Sequence, residues 1–232
     1  VPVPILLYHH INVPPQAGIP ARSNYVHPRR FFAQMRWLKR LGFQGLSLQE
    51  GAEYIYKKKH GKIAIITFDD GFRSVYDVAM PILNELGFTA TCFFVLNQIN
   101  GENNWDRPEA RRQPCMNLSQ MQDWIKNGHE AGSHSLDHVR LTALTKEQAR
   151  EQIAKSKLAL EDYINSKVRS FAYPYGAQSK DHYEIVNSAG YDFAVTTHRG
   201  RATPRDNPFA LPRHSIRRND TIAHFLLKCL LR

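Results

Sequence analysis

The sequence predicts an α/β fold in which parallel strands, each followed by a helix, curl into a barrel. Three observations carry this expectation. Apolar runs of strand length alternate with segments of helical periodicity from one end to the other, the pattern of a parallel sheet with helices outside it. The strongest run, Ile63–Phe68 (I-A-I-I-T-F), is apolar without alternation, as a strand covered on both faces must be. No strand is followed by the glycine-rich phosphate loop of a dinucleotide-binding sheet, while polar residues gather at several strand ends, where a barrel presents its chemistry. At 232 residues the chain reads as one domain, residues 1–232, long enough for a barrel and its core.

The elements follow in order. Pro4–His9 reads as a short buried strand ending in histidine, with Pro14, Pro15, Gly18 and Pro20 marking the loop behind it. Phe31, Met35, Leu38 and Leu41 recur at helical spacing and Gly42 stops that helix. Phe43–Leu46 is a second strand, and Ser47-x-x-Glu50 a capping box for a helix running to Lys57-Lys58-Lys59. The strand through Phe68 leads into a helix over Val75–Leu86 closed by Gly87, with Pro81 inside it, kinking it or dividing it. Thr89–Leu96 is a further buried strand, and residues 97–117 are a polar insertion long enough to be a functional loop. Ser119-x-x-Gln122 is expected to cap a short helix to Asn127, His129–Ser133 to be a strand, and Thr145-x-x-Gln148 to cap the long helix to Ile164. Val168–Tyr173, Lys180–Ala189 and Tyr191–Thr196 continue the alternation, which ends with a strand at Ala210–Ile216 and a helix at Thr221–Leu230.

The net charge of +10 comes from small clusters, among them Arg29-Arg30, Arg111-Arg112 and Arg217-Arg218. No nucleic-acid-binding motif accompanies them, so the charge reads as solvated surface, able to touch an anionic surface peripherally. Three scattered cysteines (Cys92, Cys115, Cys229) are too few for a disulfide scaffold and are read as structural, a Cys115–Cys229 pair having no support. No apolar run has the length of a membrane span. The chain begins at Val1 without a leader-like segment, as expected of a processed or trimmed terminus, and the compartment stays open.

The chemistry gathers in two stretches. Asp69-Asp70-Gly71 ends the strongest strand; neighbouring side chains on a strand point to opposite sides, so the two carboxylates need not share a task. Alone, such a sequence is equally an ordinary turn. The second stretch, His134-Ser135-Leu136-Asp137-His138, spaces two histidines four apart, expected to meet on one side of a helical turn. One aspartate and two histidines form the donor set of catalytic zinc sites, with positions left open for water and substrate.

With Phe171-Ala172-Tyr173-Pro174-Tyr175-Gly176 as a third motif, Thr67-Phe68-Asp69-Asp70-Gly71 and His134–His138 resemble the polysaccharide deacetylase family of carbohydrate esterases. The resemblance implies an incomplete (β/α)7 barrel. It implies a divalent metal at Asp70, His134 and His138, zinc first, with cobalt and nickel open. It makes Asp69 the catalytic base, and gives the backbone N–H of Tyr175 the oxyanion of the tetrahedral intermediate. The family's third motif usually carries an arginine that pairs with the base; Ala172 stands there, leaving Arg169 or Arg213, the latter favoured because it lies mid-strand. The usual Leu-x-His of the general acid is missing after Gly176, but Leu7-Tyr8-His9 resembles the subgroup, including poly-N-acetylglucosamine enzymes, in which that element is permuted to the amino terminus. His9 is therefore the expected acid, His10 structural, and His214 the rival. Trp105, Tyr173 and Tyr175 are candidates for stacking on sugar rings, core packing being as good a reading for Trp105. The implied activity is metal-dependent removal of N-acetyl groups from N-acetylhexosamine units of a glycan. An amidohydrolase of small amides and a catalytically silent glycan-binding domain are the alternatives; the intact carboxylates and histidines speak against the silent domain. The resemblance favours a periplasmic, secreted or cell-envelope location and leaves the particular glycan and the oligomeric state open.

Overall fold

The structure, a computed structural model, describes residues 2–231; Val1, on which the reading of the amino terminus rests, lies outside them. The described strands are β1 (Ile5–Tyr8), β2 (His10–Ile11), β3 (Tyr25–Val26), β4 (Gln44–Leu46), β5 (Ile63–Phe68), β6 (Thr91–Phe94), β7 (Glu130–Ser133), β8 (Ser170–Ala172), β9 (Phe193–Val195) and β10 (His214–Ser215). The α-helices are α1 (Pro28–Arg40), α2 (Leu48–Ile55), α3 (Met80–Leu86), α4 (Leu118–Lys126), α5 (Lys146–Ile164), α6 (Lys180–Ser188) and α7 (Ile222–Leu230).

The main sheet runs β10-β1-β5-β6-β7-β8-β9 with every pair parallel. β4 occupies the first half of one edge of β5, Gln44 opposite Ile63 through Leu46 opposite Ile65, and β6 takes the second half from Thr67 onwards. A parallel bridge between Val195 and Leu211, with the Leu211 N–H donating to Ala194 O at 2.9 Å, turns the far edge back toward the segment that enters β10. The sheet is thus a curled, incomplete barrel, with β2 and β3 as a small separate pair.

Alternation divides each strand between two apolar clusters. Ile5, Ile63, Ile65, Phe93, Ala172, Val195 and Leu211 pack in one, while Leu6, Tyr8, Ala64, Ile66, Phe68, Cys92 and Phe171 pack in the other, with Phe31, Met35, Trp124 and Phe225 of the helices. The first set is the barrel's inner face. The same alternation runs through Leu7 on β1 to His9 just past its end, through Thr67 on β5 to Asp69 just past its end, and through Ser215 on β10 to Arg213 just ahead of it. The fold therefore commits those side chains to one interior before any chemistry is considered.

Several expected boundaries shift for local reasons. The segment around Pro81 divides: Val75–Ala79 forms a π-turn closed by the Met80 N–H on Val75 O, and α3 starts beyond it, because proline cannot supply the N–H of a continuous α-helix. The cap of α4 is Asn117 rather than Ser119. Asn117 Oδ1 accepts from the Gln120 N–H at 2.9 Å and Gln120 Oε1 accepts from the Asn117 N–H at 3.0 Å; asparagine caps as well as serine, and Ser119 donates its hydroxyl to Asn117. The last strand is shorter than Ala210–Ile216, because Pro212 has no N–H for a ladder and the Arg213 N–H turns to His198 O at 2.8 Å. All three cysteines are free and buried.

Candidate active site

At the carboxyl ends of the strands lies a cavity of about 330 Å³, lined among others by His9, Asp69, Asp70, His134, His138 and Tyr175. Asp69 sits on the inner face by simple alternation from Ile65 and Thr67. Asp70 would follow to the outer face if the strand stayed extended. Instead Asp70 (φ 78°) and Gly71 (φ 69°) both adopt the left-handed region, which aspartate tolerates better than most residues, and both carboxylates open into one cavity.

His134 leaves the end of β7 with its N–H on Phe94 O at 2.8 Å. His138 does not follow it on a helical turn, as the spacing suggested. The intervening loop has left-handed residues at Ser135 (φ 68°) and His138 (φ 55°). It is held by Ser135 Oγ accepting from the His138 N–H at 3.0 Å and by Gln152 Oε1 accepting from the N–H groups of Leu136 and Asp137, each at 3.1 Å. The rings converge all the same: Nε2 of each lies 3.3 Å from Asp70 Oδ1.

This trio fits a divalent cation. His134 Nδ1 donates to Ala172 O at 2.7 Å, which in the neutral ring fixes the tautomer and makes Nε2, beside Asp70, the atom free to ligate a cation. Asp70 Oδ1 is buried without a hydrogen-bond partner, a costly state unless something else occupies its lone pairs. The three ligand atoms all lie within 4.8 Å of one another. Tetrahedral bonds of about 2.0–2.1 Å to zinc demand ligand separations of about 3.3 Å, the spacing Asp70 has to both rings. Burial pushes the Asp70 carboxyl up, but the charge of His138 and the contacts of both imidazoles outweigh it and leave the pKa well below the usual value.

Asp69 is held from the opposite side. Arg213, fully buried, donates Nη1 to Oδ1 and Nη2 to Oδ2 at 2.7 Å each, Nε to Thr196 O at 2.8 Å and Nη1 also to Thr67 Oγ1 at 3.1 Å. Burial alone would raise the Asp69 pKa; the Arg213 charge, joined by His134, brings it below the ordinary carboxylate value. The fork uses two of roughly four carboxylate acceptor sites, and Asp69 itself lines the cavity. Arg169, the other candidate, lies at the opposite end of β8, where Nη1 pairs with Asp192 Oδ2 at 2.6 Å on the surface.

His9 is partly buried and lines the cavity. His10 is enclosed between the rings of Tyr25 (4.1 Å between centroids) and Phe72 (3.7 Å), and burial lowers its pKa to about 3. His214 points outward from β10, away from the cavity, toward Arg201 and Leu230. The turn at Tyr173–Gly176 gives Tyr175 a left-handed backbone (φ 59°), secured by the Gly176 N–H on Tyr173 O at 2.8 Å. Gly176 (φ 67°) is required there, since a Cβ would come within 2.0 Å of Thr197 Oγ1. The half-exposed Tyr175 ring lies 4.5 Å from His138, with the Arg140 guanidinium 4.9 Å over it. Trp105 comes from the polar insertion and packs 4.7 Å from the His138 ring. Tyr173 is unavailable to a sugar: it is fully buried, and its hydroxyl donates to Phe209 O at 2.9 Å.

Asp106 also lines the cavity and escaped the sequence reading. Asn103 Nδ2 donates to it at 2.6 Å, and burial, with the charge of nearby Asp70, holds its pKa above the usual value. Nothing in a lone acid within a polar insertion marked it; only its position beside Trp105 could have.

The polysaccharide deacetylase family profile matches residues 56–194. The chain is 29% identical over 213 residues to the YxkH protein of Bacillus subtilis, covering 91% of this chain and 70% of that one. It is 26% identical over 212 residues to a poly-β-1,6-N-acetyl-D-glucosamine N-deacetylase of Staphylococcus aureus, covering 88% and 72%. Among solved structures, the deacetylase PplD of Streptococcus pyogenes, determined with acetate, superposes with a TM-score of 0.85 at 24% identity over 99% of this chain and 98% of that one. IcaB of Ammonifex degensii gives 0.83 at 23% over 98% and 97%. At these identities the structural likeness carries the fold. The profile spans more than half of the chain and runs from before the Asp69-Asp70 strand to beyond the Tyr173–Gly176 turn, leaving His9 and Arg213 to its flanks: the chain belongs to the polysaccharide deacetylase family.

Proposed function

We propose that the chain is a metal-dependent hydrolase that removes N-acetyl groups from N-acetylhexosamine units of a glycan and releases acetate. The observation that carries the reading is the pairing of a buried Asp70–His134–His138 donor set with a separate carboxylate, Asp69, clamped by Arg213 in the same cavity. A silent binding domain has no need of a base beside a cation site.

In this reading Asp70, His134 and His138 hold the cation, zinc suiting one carboxylate and two imidazoles best and cobalt or nickel serving as replacements. A cation held there would supply Lewis-acid polarisation of the acetamide carbonyl and would lower the pKa of water in its reach from 15.7 toward about 7. Asp69, ionised and oriented by Arg213, accepts the proton of the attacking water. The Tyr175 N–H, preset by its left-handed turn, stabilises the negative oxygen of the tetrahedral intermediate; one such donor contributes a few kcal/mol. His9 protonates the departing nitrogen, which cannot leave as an amide anion. Trp105 and Tyr175, each packed against the His138 ring, give flat apolar surface to a pyranose ring. Polymers of this kind lie outside the cytoplasm, and we place the enzyme in the periplasm, at the envelope or outside the cell.

Acetate release from N-acetylated exopolysaccharide, peptidoglycan and chitin-like oligomers, with zinc, cobalt or nickel added to metal-stripped protein, tests the reading. Metal-dependent release from at least one glycan is expected. Release only from small amides would move the chain to the amidohydrolase alternative, and no release with any metal would end both.

A further inference from the structure

Helix α1 carries five cations, Arg29, Arg30, Arg36, Lys39 and Arg40, and no carboxylate. All five are exposed, because Phe31, Gln34, Met35 and Leu38 turn the other face into the core. Three of them lie over aromatic rings: Arg36 over Phe32 at 5.5 Å, Lys39 over Phe88 at 5.5 Å and Arg40 over Trp37 at 5.2 Å. Trp37 is itself 37% exposed. The result is a cationic face with an aromatic residue at its centre.

Helix α7 lies beside α1. Arg30 Nη1 ties them together, donating to Arg218 O at 2.9 Å and Asp220 O at 3.2 Å just ahead of α7. Phe225 and Cys229 turn the opposite side of α7 into the core, and the direct contact of α7 with α1 puts the outward faces of the two helices next to each other. That face of α7 carries exposed leucines after His224: Leu227 is 48% exposed, Leu230 43%, and Leu231, just past the helix, 56%. A single surface leucine signifies nothing. A helix with leucines exposed opposite its core-facing side, set beside a cationic one, has the composition of an interface-binding surface.

The geometry points to an anionic lipid bilayer as the partner of this face, with α1 on the headgroups and the leucines of α7 entering the acyl boundary. Charge complementarity selects an anionic surface, and the exposed leucines and Trp37 select a bilayer over a soluble polyanion, which would need the cations alone. No described helix is long and apolar enough to cross a membrane, and the contact proposed is one of helix faces lying on the surface. The inference does not depend on the deacetylase reading.

The full chain is sedimented with vesicles of phosphatidylcholine alone or mixed with phosphatidylglycerol, at low and high salt. Binding is expected only to the anionic vesicles, falling as salt rises. Arg36→Glu with Arg40→Glu should weaken it by roughly tenfold or more, each charge near such a surface being worth roughly fivefold. Leu227→Ser with Leu230→Ser should weaken it comparably while keeping the salt dependence. Both double variants should keep the wild-type circular dichroism and metal content. Where a double variant fails to fold, the Trp37 emission of the wild type provides the second readout: a blue shift on anionic vesicles that Trp37→Phe abolishes. Anionic-vesicle binding unchanged in both variants, or no Trp37 shift, overturns the proposal. So does capture of soluble polyphosphate without vesicle binding, which would make this a polyanion face. A solution dimer split by the leucine variant would make it a self-association face.

Discussion

Replacing Arg213 by methionine removes the fully buried guanidinium that makes four hydrogen bonds, two of them to Asp69. Methionine fills most of the volume and supplies no charge, so Asp69 is left buried and uncompensated. Breaking such a pair from one side costs about 3–5 kcal/mol, chiefly the desolvation of the survivor. Asp69→Asn alone should also destabilise, because it strands the guanidinium. The double variant removes both charges, so its cost should fall short of the sum of the singles by about 2 kcal/mol or more. Urea unfolding at constant m-value gives the three free energies. Catalysis separates the partners again. Arg213→Met should lower turnover and move the acid limb of the rate profile to higher pH, because burial raises the carboxyl and its main countercharge is gone. Asp69→Asn, and hence the double variant, should lose turnover by orders of magnitude even where stability recovers. Additive costs within about 0.5 kcal/mol, together with an unmoved acid limb in Arg213→Met, would refute the clamp.

Asp70→Asn and His138→Ala should each lose bound metal and activity together, whereas Asp69→Asn should keep the metal; metal analysis beside turnover decides, and full occupancy in Asp70→Asn would reverse the roles of the two carboxylates. His9→Ala should retain fold and metal while losing most activity and the alkaline limb of its pH profile; His214→Ala, altered outside the cavity, should stay active, and the opposite pattern would remove His9 from the mechanism. Stability should fall in acid partly through His129, buried against Trp124 (4.1 Å between ring centroids) and bonded through Nε2 to Asn84 Oδ1 at 2.9 Å. Burial lowers its folded pKa from 6.5 to about 4, so the unfolded chain takes up the proton first. The contribution is present above pH 6.5 and lost as pH falls toward 4, by up to about 3 kcal/mol at 1.36 kcal/mol per unit. His10 adds a loss over the same range, so the check is the difference in pH–stability slope between wild type and His129→Leu; equal slopes would exclude His129.

The order of strands and helices was legible in the chain because burial on both sides of a parallel sheet forces apolar runs, and helices outside it force a periodicity that local sequence must carry. The same logic exposed Asp69-Asp70 and the two histidines, since carboxylates and imidazoles at strand ends interrupt those runs. Strand alternation also settles, once the register is seen, that His9, Asp69 and Arg213 face one interior. The sequence could not rank Arg213 firmly over Arg169, because both lie beside strands and only the strand order, with β10 next to β1 and β1 next to β5, brings Arg213 within reach of Asp69. Nor could the spacing of His134 and His138 reveal that a loop with two left-handed residues, rather than a helical turn, aims both rings at Asp70. Backbone conformations that side-chain types barely encode, and partners contributed from 144 residues away along the chain, were decided by tertiary closure alone: a barrel turns distant strand ends into neighbours, and no local pattern records that distance.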